Sequence, residues 1–139
     1  MKNDSWYDST PALTPVMVQG MQANLPALPA HCAPIAERLT KVLELIVERY
    51  QPQRILLFGS YAYGTPRRDS DVDLLIVKRS DADPHQRALA VRRSFAEARH
   101  GVSFSILVRT PDELDERLRL RDPFFAEIVN KGVLLYEGA

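Results

Sequence analysis

Apolar positions recur along this chain with two different periods, and the period changes at glycines and prolines. From Ala33 to about Tyr50, Ile35, Leu39, Val42 and Ile46 fall at helical spacing. Leu43 and Val47 widen that stripe, while Glu37, Arg38, Lys41, Glu44 and Glu48 lie opposite, the pattern of a helix with one buried face. Gln51-Pro52-Gln53 stops the helix, because a proline ring disfavours helical backbone at the residue before it. Ile55-Leu56-Leu57-Phe58 is then a short unbroken apolar run bounded by a turn, as expected of a strand buried on both faces.

A Gly59-Ser60 turn follows, with a brief helical turn over Tyr61 to Tyr63 that Gly64 closes as a left-handed cap. Thr65 to Ser70 reads as loop. Val72 to Val77 is a second strand, apolar on both sides after Asp73 and therefore central rather than an edge. Asp83-Pro84 starts a helix, cap followed by proline at the first position, with Ala88, Val91, Phe95 and Ala98 as its stripe and Gly101 as its end. Val102, Phe104, Ile106 and Val108 alternate with Ser103, Ser105 and Leu107 in a third strand. Thr110-Pro111-Asp112-Glu113 and Asp122-Pro123 repeat the helix-start signal. Phe124, Phe125, Ile128 and Val129 are expected to pack the last helix before Lys131-Gly132, and Val133 to Tyr136 forms a final strand. The order α-β-α-β-α-β-α-α-β predicts an α/β (α+β) domain with a small mixed sheet flanked by helices.

Residues 1 to about 30 break the pattern. Pro11, Pro15, Pro26 and Pro29 punctuate a stretch rich in Asn, Gln, Ser and Thr, which predicts a flexible N-terminal arm before a domain over 31–139. A short helical turn near Val16 to Met21 is allowed, and Trp6 and Tyr7 are the aromatic exceptions in the arm. The 139 residues suit one domain, and 18 basic against 18 acidic side chains argue against a dedicated nucleic-acid binder. Cys32 is the single cysteine, so neither an internal disulfide nor a multi-cysteine zinc site can form, and it reads as an inert or partly exposed thiol. No apolar leader and no membrane-length run are present, so a soluble, cytoplasmic protein is expected.

The candidate chemistry sits between the first two strands. Asp71 and Asp73 point to one side of the second strand, about 7 Å apart. Gly59 has no Cβ, so a triphosphate can approach its backbone, and Ser60 adds an N–H and a hydroxyl. The helical turn after it presents further N–H groups to phosphate oxygens. Two carboxylates facing such a turn suit a magnesium–nucleotide site. Arg67 and Arg68 in the loop can reach phosphate, though ordinary solvation of exposed arginines explains them as well. Asp69-Ser70-Asp71-Val72-Asp73 also matches the start of a calcium loop, but that loop needs glycine at its sixth position and an acid at its twelfth. Here those are Leu74 and Ser80, and the calcium reading fails.

Gly59-Ser60, ten residues, then Asp71-Val72-Asp73, each half preceded or followed by an apolar strand, resembles the signature of the DNA-polymerase-beta-like nucleotidyltransferases. With Leu74 following and Gly132-Val133-Leu134-Leu135-Tyr136-Glu137 near the end, the stretch from about Val42 to Glu137 is similar to the minimal nucleotidyltransferases. Those are the antitoxin halves of HEPN–nucleotidyltransferase pairs. The resemblance implies a polymerase-beta-like fold, catalytic and metal-binding Asp71 and Asp73, nucleotide-binding Gly59, Ser60 and Arg67, and Mg2+ with ATP as substrate. It further implies transfer of AMP to a tyrosine of a HEPN ribonuclease toxin, in a homo- or hetero-oligomer.

The same resemblance calls for a third carboxylate on the neighbouring strand, and counting back from Thr110-Pro111 puts Ser105 there. A serine supplies neither the charge for a second metal nor a base. Asp69 is the nearest spare acid but faces the other way, and His100 reads as structural. A binding-only antitoxin therefore stands beside the transferase as an alternative. A drug-modifying nucleotidyltransferase or a polymerase would call for further domains.

Overall fold

Residues 28–138 are described by the computed structural model, and among them β1 (Arg54–Phe58) is buried at every position. It lies inside a four-stranded sheet of order β3-β2-β1-β4, with β2 at Val72–Val77, β3 at Phe104–Arg109 and β4 at Val133–Glu137. β1 runs antiparallel to β2 and β4, and β2 runs parallel to β3. The sheet is therefore mixed, as expected, and both all-apolar runs occupy its two central strands.

Those strands are apolar throughout because helices cover both faces. On one side α1 (Ala36–Tyr50) and α3 (Pro84–Phe95) bring Leu39, Val42, Ile46, Val91 and Phe95 against Ile55, Leu57, Leu74 and Ile76. On the other, α4 (Pro111–Arg119) and α5 (Pro123–Lys131) bring Leu114, Phe125, Ile128 and Val129 against Leu56, Phe58, Leu75 and Val77. Alternation along each strand sends neighbours into opposite cores. The short helix α2 (Ser60–Tyr63) fills the corner between β1 and β2.

The start signals form as read. Asp83 accepts from Gln86 N–H at 2.9 Å, and Asp122 from Phe124 N–H at 2.9 Å. Thr110 and Glu113 make a reciprocal capping box, with bonds of 3.1 and 2.9 Å. Gly64 closes α2 at φ 90°, in the left-handed region.

Three departures have physical causes. The first helix begins later than expected: Ala30–Ile35 winds as a 3-10 turn containing Pro34, whose missing N–H cannot enter an α-helical ladder. Cys32, inside that turn, is fully buried with its thiol 3.7 Å from the Tyr61 carbonyl, and burial pushes its pKa up to about 11. It is an inert thiol rather than a partly exposed one. Phe124, expected to pack the last helix, is instead 49% exposed. The proposed arm, its turn near Val16 to Met21 and the pair Trp6 and Tyr7 lie outside the described residues, although Leu28 packs on the α1 side of the core. No described helix is long and apolar enough to cross a membrane.

Candidate functional site

The site is built where β1 ends beside the start of β2. Phe58, the last residue of β1, pairs with Asp73, and Asp73 pairs on its other side with Ser105 of β3. Directly paired residues share a face, so Phe58, Asp73 and Ser105 form one row on the α5 side of the sheet. Asp71 precedes β2 by one residue and is exposed, while Asp73 is half-buried.

Gly59 follows Phe58 at φ 74°, ψ −161°, a backbone region that is essentially reserved for glycine. The reason for the glycine is also steric. A Cβ at this position would overlap Asp73 Oδ2 and lie 2.9 Å from its Cγ. The space expected to admit a phosphate is thus filled, at its inner side, by the Asp73 carboxylate. Glycine here is a seat for the acid as well as a point of close approach.

That seat leaves the carboxylate strained electrostatically. Desolvation raises the Asp73 pKa, the Asp71 charge raises it further, and a hydrogen bond from the Ser105 hydroxyl works in the opposite direction. Neither aspartate forms an ion pair among the described residues. Ser105 is therefore placed where the sequence count put it, touching Asp73. No group of three or more His, Cys, Asp or Glu that could hold a metal exists among the described residues, which agrees with two acids and a serine.

Around this row the turn is ordered. Ala62 and Tyr63 N–H groups donate to Gly59 C=O at 2.9 Å each, so the N–H groups of Ser60 and Tyr61 come before the first helical donor and have no acceptor within the turn. Val72 N–H donates to Ser103 C=O at 2.8 Å, fixing the start of β2 on β3. Arg67 and Ser70 close a tight loop, with Arg67 N–H donating to Ser70 Oγ at 2.7 Å and Ser70 N–H to Arg67 C=O at 3.1 Å. Arg67, Arg68 and Asp69 are all exposed, and His100 is an exposed turn residue with φ 32°.

Two neighbours were not singled out in the sequence. The Tyr63 hydroxyl is hydrogen-bonded to the Gly59 backbone and lies within electrostatic reach of Asp73, and burial holds its pKa above the usual phenol value. Phe124 stands edge-on to Phe58, with ring centroids 5.8 Å apart. Tyr63 has a local signal, since it lies four residues after Gly59 in the same turn. Phe124 has none, being brought in from 66 residues beyond Phe58 by the packing of α5.

Comparison with known proteins bears on the family and the fold. Residues 39–131 match a family whose description is Nucleotidyltransferase domain. No curated protein matches the chain. A crystal structure of a toxin-antitoxin with AMP-PNP is similar at 23% identity and a TM-score of 0.50, over 70% of this chain and 72% of that one, which is a likeness of fold.

Proposed function

The chain belongs to the nucleotidyltransferase domain family, with its polymerase-beta-like fold, and from this premise we propose that it is an antitoxin acting on a HEPN ribonuclease toxin. The proposed reaction moves AMP from ATP to a tyrosine hydroxyl of that toxin. The observation that carries the reading is the Asp73 carboxylate, seated against Gly59, desolvated, facing the Asp71 charge and, among the described residues, without a cationic partner. Such a pair gains from a hard divalent cation. Mg2+ is commonly held by one or two carboxylates with substrate phosphates and waters completing its shell, so Asp71 and Asp73 fit one nucleotide-bound metal. When bound, the metal neutralises phosphate charge and orients the α-phosphorus.

The chain's own groups do the rest. Ser60 offers its N–H and hydroxyl to phosphate oxygens, and Arg67 is free to swing toward them from the exposed loop. In the transfer the tyrosine oxygen bonds to the α-phosphorus while the bond from that phosphorus to the bridging oxygen breaks. Pyrophosphate leaves with the electron pair, and the phenolic proton departs to a carboxylate or to water. A nucleotide and a toxin enter the proposal by analogy with the similar toxin-antitoxin that contains AMP-PNP. A cytoplasmic location is part of the same proposal.

One observation favours a second reading. Ser105 holds the position where the resemblance calls for a third carboxylate, and it spends its hydroxyl on Asp73. An antitoxin that neutralises its partner by binding, with transfer weak or lost, is consistent with that. Labelled ATP, magnesium and the partner protein separate the two. Label on the partner, abolished in Asp71→Ala/Asp73→Ala, supports transfer and eliminates the binding-only reading. No label from the wild type, with label from Ser105→Asp, eliminates transfer by the natural chain.

A further inference from the structure

Among the described residues two large apolar side chains are left in water, Leu120 at 61% exposure and Phe124 at 49%. They differ in what holds them. Leu120 caps the C-terminus of α4 just before Arg121, whose φ is 59°. Phe124 is fixed in the first turn of α5. Pro123 sets the preceding backbone, the Asp122 carboxylate takes the Phe124 N–H, and two rings brace it edge-on, Phe58 at 5.8 Å and Phe125 at 5.1 Å. It is an aromatic ring braced by two others and half open to water.

Its position gives that surface a use. Phe58 is both the ring that braces Phe124 and the cross-strand partner of Asp73. Paired Cβ atoms on one face are about 5 Å apart. Phe124 therefore stands one ring away from the cross-strand partner of the carboxylate, on the same face of the sheet. A phosphate held at Asp73 and Ser60 places its sugar and base outside the corner, where an aromatic face is the natural support for a flat heterocycle.

We propose that Phe124 is the platform on which the purine base of the bound nucleotide stacks, a reading that rests on nucleotide binding at Gly59 and Asp73. Stacking tolerates any base but favours the larger purine surface, so ATP and GTP bind more tightly than UTP. Phe124 is a positioning residue for the base and takes no part in phosphoryl transfer.

The test compares two probes on the full chain by calorimetry with magnesium present: ATP, and inorganic tripolyphosphate, which has no base. Phe124→Ala weakens ATP by about five- to one-hundred-fold, the range of one base stacked on one aromatic ring, and leaves tripolyphosphate unchanged. Phe124→Leu, which keeps the apolar bulk without the ring face, behaves like the alanine variant, while Phe124→Trp holds ATP at least as well as wild type. Asp73→Ala weakens both probes. Wild-type ATP affinity in Phe124→Ala, with the loss in Asp73→Ala intact, overturns the platform. Failure of wild type to bind either probe overturns nucleotide binding itself, and the platform falls with it.

Discussion

A half-buried carboxylate lies near each end of the β2–β3 pair, and the fold treats the two in opposite ways. Glu113 lies near the end where β3 passes into α4. Its two oxygens take Arg87 Nη1 and Nη2 at 2.7 and 3.1 Å, and Oε1 also accepts Thr110 N–H at 2.9 Å. The Arg87 guanidinium is itself buried and gives its Nε–H to Ala82 C=O at 2.7 Å. The bonds from Arg87 hold the Glu113 carboxyl below its ordinary range. Asp73, at the other end, has a neighbouring acid, one serine hydroxyl and a steric seat, and its pKa is raised. One acid is finished by the chain and the other is left to be finished by something else. Unmet charge in a corner of an otherwise satisfied sheet is a sign of chemistry rather than of stability.

Four perturbations would break or sharpen that contrast. The largest effect belongs to Gly59→Ala, which adds a methyl group where the Asp73 carboxylate sits and forces a side chain into a glycine-only backbone region. We expect a loss of about 3 kcal/mol in urea denaturation. Pairing it with Asp73→Ala should recover the steric part and leave the backbone part, and no recovery would mean that the two residues do not interlock.

Next is the pair of single deletions. Glu113→Ala strands a buried guanidinium and should cost about 2–3 kcal/mol, whereas Asp73→Ala should change stability by no more than about 0.5 kcal/mol or raise it. Equal losses would erase the distinction. Acid titration of stability gives the third comparison. The Glu113 pKa in the folded chain lies below that of an ordinary glutamate, so its contribution is complete above the ordinary value and drains away as pH falls through the lowered one. Asp73, raised in the folded chain, contributes with the opposite sign, since the folded protein takes up its proton first. Glu113→Gln should therefore flatten the acid loss in a pH series of thermal melts, and Asp73→Asn should steepen it. The smallest effect is Ser105→Asp. A third negative charge beside Asp73 should lower metal-free stability by about 1 kcal/mol, and magnesium should raise its melting temperature more than it raises that of wild type.

Most of the fold was readable because its signals are local. Thr110-Pro111-Asp112-Glu113 carries its own cap, Gly64 its own left-handed turn, and the runs 55–58 and 74–77 announce strands covered on both faces. Gly59, Asp71 and Asp73 were also readable, from the turn after one apolar strand and the start of the next, and Ser105 through the resemblance, which calls for a carboxylate at that place on the neighbouring strand. What stayed hidden depends on partners distant in sequence. Arg87 looks like a solvent-facing position of α3, and the carboxylate that pairs with it inside comes from Glu113, 26 residues away. Phe124 is apolar and at helical spacing with Ile128, yet α5 turns its first residues outward past the edge of the core. The ten-residue interval between Ser60 and Asp71 gives no hint that the missing side chain of one residue is the pocket for another.

That interlock separates two kinds of decay. In a copy of this protein relieved of the proposed reaction, Asp71 and Arg67 are solvent-facing and can drift at little cost. Gly59 cannot drift while Asp73 remains in its seat, because any other residue there jams the corner. On the proposed reading the glycine therefore outlives the activity: its survival in a descendant marks an intact scaffold, while the loss of Asp71 would mark the end of the proposed transfer.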